Sequence, residues 1–339
     1  MRDLDHKAAG HDGLLTEAEG ALVFKPYNAV EAQFYMDTVA RRAQEEDVHG
    51  DVPFYRWIPC YLGTLEQGDS RHVSVNYNGR KFIVLNNIIH GFSKPNIMDI
   101  KLGAKLYDDD ASEDKKERMK RVSNMTTSGS LSFRICGMKI ERTVDTCSLD
   151  KEHFAIEPQN DDVTYLSVNK MFGRTRTKEN IKEAIEFFFD NHRLSQLRKY
   201  KLYQQFWQRL QLLYNTLLDT EARFISSSLL FVYESDPAVW DELDDEEDLI
   251  HDYEDDMMEE DQEDSTEPVE MLHSMQSKVD SDDSENDVFV ENKEIPKKLS
   301  SLTMIDFAHS KYLNGAGYDE NSVQGVENLI NIFNELCDK

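Results

Sequence analysis

Asp99 and Lys101 stand two residues apart in the run Pro95-Asn96-Ile97-Met98-Asp99-Ile100-Lys101-Leu102-Gly103, shortly after the apolar Phe82-Ile83-Val84-Leu85. On a strand, residues two apart share a face, so the pattern P-x-x-x-D-x-K-x-G sets an acid beside a base. The carboxylate can accept hydrogen bonds from sugar hydroxyls, and the ammonium can hold a phosphate. Asp306, in Ile305-Asp306-Phe307-Ala308-His309, ends another apolar run. Phosphoryl transfer needs a carboxylate to hold Mg²⁺ against nucleotide phosphates, and a strand end is a rigid place for one. An Asp that merely opens a turn would look the same. Lys25 lies among apolar neighbours with Glu31 six residues on. A buried lysine needs a partner, so a Lys25–Glu31 pair aimed at nucleotide phosphates stands beside a lysine that snorkels from an edge strand. Asp99 and Asp306 in the same chain favour the pair. Gly10-His11-Asp12-Gly13 is a candidate phosphate-covering turn.

Basic residues gather in two places. Residues 101–142 hold ten Lys or Arg against seven acids, and Lys170, Arg174, Arg176 and Lys178 fall in 169–178 with no acid among them. On a helix Lys115 and Arg118 share a face. That face either clamps a small, densely phosphorylated ligand through charge-assisted hydrogen bonds or is solvated, with Glu113 and Glu117 pairing its bases.

The elements that must position these residues follow from periodicity. Residues 21–27, 58–65 and 81–88 read as strands, with turn chemistry at Gly68, Asn76, Asn78 and Gly79. Residues 29–44 have helical spacing, with Val30, Phe34, Val39 and Ala40 on one side. Residues 111–122 are charged and helix-prone, and 128–140 read as a strand in which Leu131, Phe133 and Ile135 alternate. Two apolar stripes, Ile181-Ala184-Ile185-Phe188 and Phe206-Leu210-Leu213-Leu217, mark core-facing helices in 178–218. Residues 226–234 and 302–307 read as a hairpin broken by a long insertion, which loop-closure entropy tolerates. Residues 327–336 close the chain as a short amphipathic helix.

The net charge of −28 argues against a polyanionic ligand until its distribution is read. Residues 236–294 contain 26 acids and only Lys278 and Lys293, so the other 280 residues carry about −4. A block this dense cannot pay the entropy of folding through burial and is expected to be disordered. Cys60, Cys136, Cys147 and Cys337 show neither metal-ligand spacing nor the density of a disulfide framework. With no signal-peptide core and no long apolar run, the expectation is a soluble intracellular protein without a membrane anchor, taken as a monomer.

Together the P-x-x-x-D-x-K-x-G run, Ser227-Ser228-Leu229-Leu230, Ile305-Asp306-Phe307 and Gly325-x-x-Asn328-Leu329-Ile330 resemble the inositol polyphosphate kinase family, in its fungal multikinase branch. The resemblance implies an α+β, two-lobed, protein-kinase-like or ATP-grasp-like fold with a disordered acidic insertion. It places a mostly β ATP-binding lobe at 1–90, a larger α+β catalytic lobe at 91–339, an inositol-phosphate-binding segment at about 104–145, and the insertion at 236–298. It implies that ATP and Mg²⁺ are the cofactors, with Lys25 on ATP phosphates, Asp99 on the ribose and Leu85, Asn86 and Asn87 at the adenine hinge. Asp306 would bind Mg²⁺ and Lys101 would contact the substrate phosphate or the transferred group. Lys115, Arg118, Lys139, Lys170 and His309 would line the inositol phosphate site. Many relatives carry an acid where Asn86 stands; hinge contacts are mostly main-chain, so ATP binding is still expected. The implied reaction converts inositol tris- and tetrakisphosphate to the pentakisphosphate, in nucleus and cytoplasm. The rival is an acidic nuclear interaction protein that binds basic partners, such as transcription factors, through 236–294. A protein kinase fits less well, since no H-R-D or D-F-G element occurs.

Overall fold

The structure is a computed structural model that describes residues 1–4, 8, 13–43, 52–66, 80–141, 150–158, 164–190, 192–251 and 296–338. Gly10, His11, Asp12, Gly68, Asn76, Asn78, Gly79, Arg142, Cys147 and residues 252–294 of the acidic tract lie outside the described residues.

Two antiparallel sheets frame the chain. The smaller contains β1 (Arg2–Asp3), β2 (Leu15–Thr16), β3 (Leu22–Pro26), β4 (Tyr61–Leu65) and β5 (Phe82–Asn86), in the order β1-β2-β3-β5-β4. The chain then enters the larger sheet through β6 (Pro95–Leu102), β7 (Phe133–Glu141), β8 (Phe154–Pro158) and β9 (Thr164–Val168). After β10 (Ala222–Phe224) it adds β11 (Ser228–Glu234) and β12 (Ser300–Ile305), giving the order β12-β11-β6-β7-β9-β8. β13 (Ser310–Tyr312) pairs with β10. β6 is therefore central. Its Met98, Ile100 and Leu102 enter the main core, and the alternation of a strand turns Ile97, Asp99 and Lys101 to the other face.

The helices are α1 (Ala29–Arg42), α2 (Glu113–Asn124), α3 (Thr127–Leu131), α4 (Lys170–Arg174), α5 (Ile181–Phe189), α6 (Gln196–Asp219), α7 (Pro237–Glu242) and α8 (Glu320–Cys337). Both predicted stripes on α5 and α6 are buried. Phe231 of β11 stacks on Phe333 of α8 at 5.7 Å, and the Tyr233 hydroxyl donates to the Phe188 carbonyl at 2.9 Å. Each such fully buried side chain contributes about 1.5–3 kcal/mol of transfer free energy. The same core reaches α1, where Phe34 stacks on Phe307 at 4.6 Å. Among the described residues no helix is long and apolar enough to cross a membrane.

Three sequence expectations give way. In α1 the buried face is Glu31, Ala32, Phe34, Tyr35 and Thr38, while Val30 and Val39 are half exposed and Ala40 is exposed. Side-chain hydrophobicity pointed to the wrong stripe because a buried carboxylate sits on the right one. Residues 127–131 form α3 rather than the start of a strand. Ser132, left-handed at φ 54°, makes the break before β7. The disordered insertion was expected from 236, yet residues 236–251 pack on α6. Arg198 bonds Asp241 and, at 2.7 Å, Asp245; Arg209 pairs with Glu247 at 3.0 Å. Local charge density misled there because the neutralising cations lie elsewhere in sequence.

Candidate active site

The cleft between the sheets has apolar walls, among them Val23, Leu85, Ile88, Ile97, Leu230 and Ile305, and is also lined by Lys25, Asp99 and Asp306. β3 delivers Lys25 from the small sheet. Its Nζ lies 2.7 Å from Glu31 Oε1 and 2.7 Å from Asp306 Oδ1. Burial works to lower the lysine's pKa, but Asp306 and Glu31 outweigh it and hold the pKa above its ordinary value, so Lys25 is an ammonium. The snorkelling alternative is excluded by this geometry. Glu31 is only 1% exposed and also accepts the Phe307 N–H at 3.0 Å.

Asp99 is buried on the cleft face of β6, opposite Gly137 of β7, and its Oδ1 has no hydrogen-bond partner. Burial pushes its pKa up to about 6; Lys101 opposes the shift and Asp306 adds to it. A buried acceptor with nothing to accept from marks where a ligand's donor belongs. Lys101 donates to the Ser226 carbonyl at 2.6 Å and pairs with no carboxylate among the described residues. Gly103 closes the motif for a steric reason. It has φ +91°, and a Cβ there would lie 2.2 Å from the Asn321 amide nitrogen, whose Oδ1 accepts the N–H groups of Ala104 and Lys105. That turn sends the chain from the reacting face into the basic segment. Gly137 admits the Ala8 carbonyl, which would lie 2.1 Å from a Cβ there, so Ala8 lies against the cleft beside Asp99.

At the hinge, Leu85, Asn86 and Asn87 all line the cleft. The Asn86 N–H donates to the Cys60 carbonyl, however, and the Asn87 N–H to the Ala21 carbonyl. The donor left without an acceptor among the described residues is Ile88 N–H. Sequence reasoning missed it, because an apolar residue announces nothing about its backbone. An apolar slot, one open N–H and an orphan carboxylate fit a base with its ribose.

The residues expected on the substrate side are scattered. Lys115 is half-buried and Arg118 exposed on α2; both lack a carboxylate partner among the described residues, whereas Lys116 pairs with Glu113 at 2.8 Å. His309 Nδ1 meets Asp108 Oδ2 at 2.7 Å, tying the turn after β12 to the segment before α2. Lys170 is exposed at the start of α4, which packs on β7. Lys139 does not join Lys101. It lies opposite Ile97, pairs with Glu157 at 3.2 Å and faces the Tyr165 ring. Strand register explains this: the cation opposite Lys101 is Arg134, which donates to the Ser128 hydroxyl at 2.8 Å. Pairing register is not visible in one strand's sequence, so Arg134 was passed over as one more base.

Among the described residues no three His, Cys, Asp or Glu side chains cluster as a metal cage. Asp306 at a strand end still fits Mg²⁺, which keeps several waters and takes one or two carboxylates together with substrate phosphates. Asp306 is left-handed, with φ 66°. Such strain in a non-glycine residue persists only where its surroundings enforce it.

The inositol polyphosphate kinase family model matches residues 82–334. The chain is 43% identical to the inositol polyphosphate multikinase of Saccharomyces cerevisiae, over 98% of this chain and 97% of that one. It is 31% identical to the Schizosaccharomyces pombe multikinase, over 67% and 77% of the two chains. The structure is similar to the crystal structure of the S. cerevisiae inositol phosphate multikinase Ipk2 in complex with ADP and Mn²⁺, with TM-score 0.71 and 40% identity, over 94% of this chain and 99% of that one. The chain belongs to the inositol polyphosphate kinase family.

Proposed function

We propose that the protein is an inositol polyphosphate multikinase that transfers the γ-phosphoryl group of ATP to hydroxyls of inositol tris- and tetrakisphosphate, giving the pentakisphosphate. The observation that carries this reading is the meeting of Lys25, Asp306 and Asp99, from both sheets, at one apolar cleft, with Lys101 on the same face of β6 as Asp99. The S. cerevisiae relative, matched over nearly the full length of both chains, and the S. pombe relative, matched over about two thirds of this one, are named for the same activity.

In this reading Lys25, held as a cation by two carboxylates, binds nucleotide phosphates. Asp99 accepts from the ribose hydroxyls, and the Ile88 N–H with the backbone of Leu85 to Asn87 receives the base. Asp306 would hold Mg²⁺, which when bound neutralises phosphate charge. Lys101, fixed by the Ser226 carbonyl, steadies the transferred or substrate phosphate, with Arg134 beside it. Lys115, Arg118, Lys170 and His309 orient the inositol phosphates; Lys139 has a weaker claim, being already paired. Positioning and charge neutralisation account for most of such catalysis. Stepwise phosphorylation of inositol 1,4,5-trisphosphate by the unsubstituted protein with Mg²⁺-ATP tests it. Asp306→Ala and Lys101→Ala should each fold normally and lose at least about 100-fold in turnover, the scale of removing one preorganised charge. No turnover by the well-folded unsubstituted protein would sink the catalytic reading.

The acidic tract supports a second role beside the first, in nucleus and cytoplasm: binding of basic partners, such as transcription factors. Because 236–251 are held by α6, the role is assigned to residues 252–294. Their deletion should abolish partner capture and leave turnover intact, and a tagged chain should be seen in both compartments. Light scattering should report a monomer.

A further inference from the structure

Asp306 is presented to the cleft in a left-handed conformation that side chains avoid, so something must hold the peptide that follows it. That peptide's N–H belongs to Phe307, whose ring is fully buried against Phe34. Water cannot serve the donor there, and a buried N–H left unpaired is costly. Its acceptor is Glu31 Oε1 at 3.0 Å, the same oxygen that takes Lys25 Nζ at 2.7 Å. Glu31 is itself fixed by the first turn of α1, capped by the Asn28 side chain, and is almost completely buried.

Resting on the kinase reading above, we infer that Glu31 is a positioning residue for the metal-binding carboxylate, acting through the Phe307 N–H rather than only through its charge on Lys25. Glu31 holds the Asp306–Phe307 peptide in the orientation that keeps Asp306 left-handed. The same Oε1 also takes Lys25 Nζ, a hydrogen bond that an amide oxygen in its place can keep. Without the acceptor, the peptide turns to find another partner and carries the Asp306 carboxylate away from the cleft. α1 is thereby tied to the metal site, and a shift of the helix moves Glu31 and Asp306 together.

Two substitutions separate the roles. Glu31→Gln keeps an oxygen that can accept the Phe307 N–H and removes the charge. Glu31→Met keeps the length and removes both. The readout is ADP affinity by calorimetry with and without Mg²⁺, together with hydrogen exchange of the peptide spanning residues 305–310. In the unsubstituted protein and in Glu31→Gln, Mg²⁺ should tighten ADP binding to within threefold of the same factor, and exchange should stay slow. In Glu31→Met the Mg²⁺ enhancement should fall at least tenfold and exchange should accelerate, while Mg²⁺-free ADP affinity changes less. Equal losses in the two variants would overturn the proposal in favour of charge pairing alone. An unchanged Mg²⁺ enhancement in Glu31→Met would overturn it outright. If Glu31→Met does not fold, Glu31→Gln still decides: loss of its Mg²⁺ enhancement overturns the proposal, and retention with slow exchange supports it. Absence of Mg²⁺-dependent ADP binding in the unsubstituted protein would overturn the kinase reading and this proposal with it, an outcome distinct from any difference between variants.

Discussion

Asp99 is 4% exposed, lacks a partner for one oxygen, and has its pKa pushed up to about 6 by burial. A carboxyl group raised above its unfolded value of 3.8 contributes stability that is fully present below pH 3.8 and lost as pH rises through about 6. At neutral pH its ionised form therefore costs the empty protein about 3 kcal/mol. Asp99→Asn should accordingly raise the melting temperature of the nucleotide-free protein at pH 8, with the gain shrinking towards pH 4. ADP affinity should fall at least tenfold, since an amide gives the ribose a poorer acceptor. Thermal unfolding at both pH values, beside calorimetry, checks the pair of effects; equal stability at pH 8 would contradict the shift. This is also the scale at which the sequence spoke best. Lys25, Asp99 and Lys101 stand out as charges at apolar strand positions, and Asp306 as a charge just past the end of one. Ile88 and Arg134 do not, since one contributes a backbone group and the other depends on strand register.

The joint between α6 and residues 236–251 shows how an element can be misread when its partner is distant in sequence. Arg209 is nearly inaccessible and bonds Glu247, the Leu249 carbonyl at 2.6 Å and the Asp248 carbonyl at 3.0 Å. Glu247 in turn accepts the N–H groups of Leu299 and Ser300, at 2.6 and 2.8 Å, so the two roots of the acidic tract are fastened together. Burial would raise the Glu247 pKa, but Arg209 and the His251 contact hold it at about 2. Its stabilisation is present above about pH 4.5, the unfolded value, and lost as pH falls through about 2. Arg209→Ala strands this carboxylate and should cost about 3–5 kcal/mol. Adding Glu247→Gln should recover part of that loss, which thermal unfolding of the double-mutant cycle measures; strict additivity would show that the pair is uncoupled. The periodic elements were legible, because the stripes on α5 and α6 and the strand-like runs at β11 and β12 are local patterns. The α1 face, the α3 turn and this joint were not, because each is decided by a tertiary partner.

At the scale of the whole molecule, the acidic tract sets the field in which a polyanionic substrate must approach. Residues 252–294 hold 18 acids and two lysines, about −16 of the total −28. His251 lies 2.8 Å from the Ser300 carbonyl, so the chain that leaves at 251 begins and ends beside the same strand. Excising 252–295 and joining the ends with a short glycine–serine linker therefore leaves β11, β12 and Asp306 at their present spacing. Long-range repulsion acts on encounter rather than on the bound complex and is screened within about 10 Å at 0.1 M salt. The shortened protein should show an unchanged kcat and a several-fold lower KM for inositol trisphosphate at low ionic strength. The difference should vanish near 0.5 M salt, where screening is complete at these distances. A KM gap that persists at high salt would mean that the tract touches the substrate site directly, and a fall in kcat would mean that β12 and Asp306 depend on it.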